Sequence, residues 1–210
     1  MNATDDLISG LAAQAGVEPH RSAAAFRRAL LVTALLSLAV ALGANWAGFG
    51  LRPDFAAMVL RAPFLFKVGG AAVLAAGAFL LVRRAALPAG GPLAWSLLAP
   101  GISLFLLRAA LDPVGPARPK GTVTGNCTVE IALLSLPALW LILRALRTAA
   151  PTRPAATGAL AGLLAGTMGV AAHAMVCGND NGASVAFWYG LGLIIVTGLG
   201  ALIGRRVLRW

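Results

Sequence analysis

Six stretches of about 20 mostly apolar residues recur along this chain, and nothing constrains its fold more. Each has the length that carries an α-helix across about 30 Å of hydrocarbon at about 1.5 Å per residue. They run from Ala29 to Gly48, Pro63 to Val82, Leu93 to Leu111, Asn126 to Leu146, Ala155 to Val176 and Val185 to Gly204. With 59% hydrophobic and 11% charged residues and a mean hydropathy of +0.84, the chain lies outside the composition of soluble domains. The expected fold is all-α: a polytopic membrane protein with six transmembrane helices over residues 23–210, preceded by a short cytoplasmic amphipathic helix within residues 1–22. The connections between runs are short and rich in Pro, Gly and Arg, too short to hold a soluble domain. The segment before Ala29 is polar or mixed and carries Asp5 and Asp6, which argues against a cleaved signal peptide.

The net charge of +10 would suggest nucleic acid in a soluble protein, but its distribution points to a bilayer. With the N-terminus inside, Arg21, Arg27, Arg28, Arg83, Arg84, Arg144, Arg147, Arg153, Arg205, Arg206 and Arg209 fall on the inner side. Arg52, Arg61, Lys67, Arg108, Arg118 and Lys120 fall outside. This bias fits cytoplasmic N- and C-termini. No aromatic residues interleave the arginines as a nucleic-acid surface requires, and the tight pairs read as interfacial anchors. Direct nucleic-acid binding is therefore not expected.

The tail has its own pattern. Thr4 can cap a helix, Asp5 and Asp6 suit its first turn, and Leu7, Ile8, Leu11, Ala12 and Ala15 recur on one face. Gly10 within it, Gly16 after it and its shortness make this helix marginal alone, so the apolar face needs a docking surface. A bilayer surface would favour Lys and Arg on the polar face rather than Asp5 and Asp6, which favours a protein partner. Small-residue faces, with Gly158, Gly162 and Gly166 in the fifth run, Gly69, Gly70, Ala72, Ala76 and Gly77 in the second and Gly190, Gly198 and Gly200 in the last, suit close helix packing. Without an internal repeat, and with few ionisable residues deep in the runs, a transporter, pump or channel has little support.

The two cysteines, Cys127 and Cys177, sit at the edges of the fourth and fifth runs. A short inner loop makes these runs an antiparallel hairpin, and counting outward from it places both cysteines at heights within about one helical turn. The thiols can then be neighbours on the outer face, with Ala171, Ala172 and Ala174 permitting the Cα approach a disulfide needs. Glu130 shares a helical face with Cys127, and His173 shares one with Cys177. Two thiolates, an imidazole and a carboxylate suit Cu(I), Zn(II) or Cd(II), while Met175 points elsewhere on the helix. The alternatives are a static disulfide, Glu130 as a helix cap and His173 as a packed residue.

Several enzyme classes are disfavoured. The chain has no Cys-x-x-Cys, no Walker, Gly-x-Ser-x-Gly or His-Glu-x-x-His motif. His20 and His173 lie on opposite sides and cannot share a haem. No cofactor is required beyond a possible regulatory ion, and the chain does not read as an enzyme. The rival reading is a membrane thiol or metal-handling protein, such as a small metal transporter or redox enzyme, without a regulatory partner.

The order of Asp5-Asp6-Leu7-Ile8, Gly125-Asn126-Cys127 with Glu130 and Leu134-Ser135-Leu136-Pro137, Ala150-Pro151-Thr152-Arg153-Pro154, the Gly158/Gly162/Gly166 run, Cys177 and the terminal Gly204-Arg205-Arg206-Val207-Leu208-Arg209-Trp210 resembles the NrsF family of proteobacterial anti-sigma factors. The resemblance implies a six-span inner-membrane protein that holds an extracytoplasmic-function sigma factor inactive. It further implies that Cys127 and Cys177 sense heavy metal or oxidant from the periplasm and that Asp5, Asp6, Leu7, Ile8 and Leu11 bind the sigma factor. Where the family often has His immediately before the second cysteine, this chain has Val176, and its nearest histidine is His173. The stimulus and oligomeric state are not implied.

Overall fold

The described residues of this computed structural model are 3–15, 23–87, 92–112, 126–149 and 151–209. Gly16, His20, Arg21, Arg118, Lys120, Gly125, Ala150 and Trp210, each used in the sequence reading, lie outside them. Within them the chain is helical: α1 (Ala3–Ala15), α2 (Ala23–Phe49), α3 (Phe55–Met58), α4 (Ala62–Ala85), α5 (Ala99–Leu111), α6 (Cys127–Leu146), α7 (Pro154–Ala174) and α8 (Gly182–Val207). No strand occurs among the described residues.

Local chemistry sets the helix ends. The Asn126 side chain accepts a hydrogen bond from the Thr128 N–H at 3.1 Å, and the Asn181 side chain accepts one from Ser184 at 2.9 Å, capping α6 and α8. Pro63 and Pro154 stand in the first turns of α4 and α7, where a missing N–H costs nothing. Arg83 and Arg84, Arg144, and Arg205 and Arg206 close the last turns of α4, α6 and α8, where the helix dipole favours cations. Thr4 falls inside α1, which starts at Ala3, rather than capping it.

Five helices, α2, α4, α6, α7 and α8, have the length and apolar character to cross a bilayer. The Leu93–Leu111 run differs: it forms a 3-10 turn, Trp95–Leu98, followed by the 13-residue α5. Pro100 stands in the first turn of α5, the position that suits a residue without an amide hydrogen, and so marks where the α-helix begins after the 3-10 turn.

Helix α7 is the hub, packed on α2, α4, α6 and α8. Glycine makes its approach to α8 possible. A Cβ on Gly158 would strike the Gly200 carbonyl, and one on Gly162 would strike that of Val196. On α8 the matching positions are Gly200 and Gly204, whereas Gly190 and Gly198 face open space, as does Gly69 on α4. The small-residue stripe expected on the last run is therefore displaced. Gly169 performs the same service against α6, where a Cβ would strike Ser135. By contrast, α1 packs substantially against no other described helix, and Leu7, Ile8 and Leu11 are 61%, 59% and 57% exposed.

Candidate functional site

Cys127 is the first residue of α6, and Cys177 follows the C-terminus of α7. The α6–α7 hairpin carries both to one end of the bundle, where their Sγ atoms stand 3.8 Å apart and each residue is 1% exposed. Both thiols are free. Two thiolates on a tetrahedral ion with metal–sulfur bonds of about 2.3 Å also lie about 3.8 Å apart. A disulfide, at about 2.05 Å, requires the sulfurs to close by most of the remaining distance.

His173 and Glu130 complete the cluster. The imidazole Nδ1 lies 3.3 Å from Glu130 Oε2, and both side chains are buried. Glu130 is thus a partner of His173, and the Asn126 side chain caps α6. A carboxylate beside Nδ1 fixes the ring and leaves Nε2 as the nitrogen available to a ligand. His173 Nε2 is buried with no hydrogen-bond partner among the described residues, and the Tyr189 hydroxyl nearby is in the same position. Cys127, Cys177 and His173 can each offer a ligand atom within 4.8 Å of one another. A soft or borderline ion fits these residues, with Glu130 behind the imidazole.

Charges surround the Cys177 backbone. Lys67 Nζ donates to the Cys177 carbonyl at 3.2 Å and pairs with Asp180 at 2.7 Å. Arg52 donates to the same carbonyl at 3.3 Å and pairs with Asp180 at 3.1 Å and with Asp54 at 2.6 Å. Arg108 donates to the Asp180 carbonyl and to Asp112. Asp180 is held below the usual carboxylate range: burial pushes it up, and the hydrogen bonds and charges of Arg52 and Lys67 outweigh that. The Cys177 thiol is likewise held low, first by the hydrogen bond from the Cys127 thiol, with His173 and the Lys67 charge helping against burial. The thiolate, rather than the thiol, is the nucleophilic and metal-binding form of cysteine.

Sequence reasoning thus identified the four clustered residues and missed their supports. Lys67 and Arg52 counted as outer-face cations, yet they are 2% and 6% exposed and tie α4 and the α2–α3 connection to the loop after α7. The available signal was Lys67 itself, an ionisable residue inside an apolar run, which calls for a buried partner. Asp5, Asp6, Leu7, Ile8 and Leu11 lie together on α1, apart from the thiol cluster.

Comparison with known proteins adds a family. Residues 11–210 match the NrsF family model, described as "Negative regulator of sigma F". The chain is 34% identical over 221 residues to the "Probable anti-sigma-F factor NrsF" of Azospira oryzae, with 99% of each chain covered. It is 34% identical over the same length, again with 99% of each covered, to the "Anti-sigma-F factor NrsF" of Caulobacter vibrioides. No solved structure matches.

Proposed function

The chain belongs to the NrsF family, and from that premise we propose that it is an anti-sigma factor of the bacterial inner membrane that releases an extracytoplasmic-function sigma factor under thiol stress. It is a regulator rather than an enzyme. Six segments cross the bilayer in this reading, the 3-10 turn and α5 together forming the shortest, with both termini in the cytoplasm. Residues 1–22 form the sigma-binding segment and residues 23–210 the membrane domain. Within the chain, the observation that carries the reading is α1. Its Leu7, Ile8 and Leu11 form an exposed apolar face that packs substantially on no other described helix, while Asp5 and Asp6 occupy its first turn. An amphipathic helix of this kind docks in a groove on a partner.

Cys127 and Cys177 are the sensing pair on the periplasmic side. An oxidant such as hydrogen peroxide takes two electrons from the thiols, whose sulfurs join while their two protons leave in two molecules of water. Alternatively, a Cu, Cd or Zn ion is held by both sulfurs, with His173 Nε2 as third ligand and Glu130 fixing the imidazole. Such an ion would supply a positive centre that the two deprotonated sulfurs could share at their present spacing. Either event alters the Cys177 loop, and α1 lets go. A hundredfold loss of sigma affinity requires about 3 kcal/mol.

Co-purification from membranes tests the reading. Removing residues 1–17, or introducing Leu7→Asp or Leu11→Asp, should free the sigma factor while the membrane domain stays intact. Unchanged co-purification rules out this face. Cys127→Ser with Cys177→Ser should leave a repressor that ignores metal and oxidant. Constitutive release would instead make the thiols part of the repressing state. Tolerance of the 1–17 deletion with continued metal capture would favour a thiol or metal-handling protein without a sigma partner.

A further inference from the structure

The fastening of α7 raises the question of how a change at the thiols travels. A helix C-terminus leaves its last carbonyls without intrahelical donors. Around and just past the end of α7, three carbonyls take donors from α2 and from Arg52 in the connection that follows it. Asn45 Nδ2 donates to the Ala172 carbonyl at 2.8 Å, the Arg52 N–H to that of Met175 at 3.2 Å, and Arg52 Nη1 to that of Cys177 at 3.3 Å. Asn45 is buried, and its Oδ1 has no partner among the described residues, so the amide answers to this one hydrogen bond.

The rest of α2 is held lightly. It meets the bundle along one seam, Leu30, Ala34, Ser37, Ala41 and Asn45, mostly short side chains against α6 and α7. Its other faces carry exposed Leu31, Val32, Leu35, Leu36 and Trp46. An apolar cavity of about 410 Å³ separates it from α4. A smooth seam with space beside it suits the small sliding motions by which packed helices shift. At its far end, about 40 Å away at 1.5 Å per residue, α2 connects through residues 16–22 to α1. Helix α6, which starts at Cys127, runs to the same rim but continues into α7 and has no chain connection to α1.

We propose that α2 is the element that carries a change at the thiol pair to the N-terminal helix, with Asn45 and Arg52 as the positioning residues that fasten it to the site. The proposal rests on the reading of Cys127 and Cys177 as the sensing pair. Capture of an ion by Cys177 and His173, or closure of a disulfide, resets the Cys177 loop and moves the carbonyls to which α2 is hung, and α2 shifts along its seam as a rod.

The test uses the full chain in nanodiscs with its sigma factor bound and Cd(II) as the probe. In the unaltered protein, Cd(II) should weaken sigma binding by about tenfold to a hundredfold and change hydrogen exchange along α2. Asn45→Leu and Arg52→Lys should bind sigma factor and Cd(II) as before, yet lose most of that weakening. If both variants release the sigma factor like the unaltered protein, the proposal is overturned. Unchanged α2 exchange in the unaltered protein overturns it whatever the variants do. A Cys127→Ser, Cys177→Ser protein that still responds to Cd(II) defeats the sensing reading itself. Dependence on the cysteines without dependence on Asn45 or Arg52 defeats only the role of α2.

Discussion

Asp180 shows how much of the site depends on residues that bear no thiol. It is the shared anion of Lys67 and Arg52, and removing one partner of a buried pair leaves the other charge uncompensated, at a cost of about 3–5 kcal/mol where burial is complete. Asp180 keeps 17% exposure, so the lower end of that range applies. Its folded-state pKa lies below its unfolded value of about 3.9. The stability it contributes is therefore fully present above about pH 5 and is lost as pH falls through 4 towards the folded-state value. Asp180→Asn should lower the melting temperature at neutral pH, and the melting curves of variant and parent should converge in acid. A gap that persists undiminished at the lowest pH would show that Asp180 acts through packing rather than charge. In the sequence Cys127 and Cys177 look alike, and the structure sets them apart because Cys177 lies near His173 and Lys67.

Among the elements, α7 and α8 depend on glycine in a way that pattern alone did not resolve. Spacing drew attention to Gly158, Gly162 and Gly166, and the first two meet α8 backbone directly. On α8 the same reasoning chose Gly200, which meets α7, together with Gly190 and Gly198, which face open space, and passed over Gly192 and Gly204. Helical periodicity fixes which residues share a face, but not which face meets a neighbour. Gly162→Leu should therefore prevent α7 from seating on α8 and destabilise the bundle by several kcal/mol, in the manner of overpacked cores. Gly198→Ala should be neutral or stabilising by up to about 1 kcal/mol, since alanine is the better helix former. Thermal unfolding of the purified variants distinguishes the two, and equal losses would dismiss the interface. The shortened third run belongs to this scale too: its apolar length was legible, and so was Pro100, yet the 3-10 turn follows from the two together.

The whole molecule is polarised. At the thiol end, Arg52, Lys67 and Arg108 pair with Asp54, Asp112 and Asp180. At the other end, the last turns of α4, α6 and α8 carry Arg83, Arg84, Arg144, Arg205 and Arg206 and no acidic residue. Cations with no ion pair among the described residues on one rim, and paired ones on the other, match the bias that keeps positive loops in the cytoplasm. A reporter enzyme active only in the cytoplasm should work when fused after Trp210 and fail when inserted at Gly178. The opposite pattern would invert the topology and place the thiols in the reducing cytosol.

The sequence by itself determined the helical class, five long apolar helices and the meeting of Cys127 with Cys177, because apolar length and hairpin counting are local quantities that a rigid rise per residue converts into height. Only the tertiary structure decided what surrounds them. The pairing of His173 with Glu130, the burial of Lys67 and Arg52 against Asp180, and the hanging of α7 on α2 join residues far apart in the chain. Such contacts depend on the rotation of each helix about its axis, and that is set by the packing of all its neighbours at once.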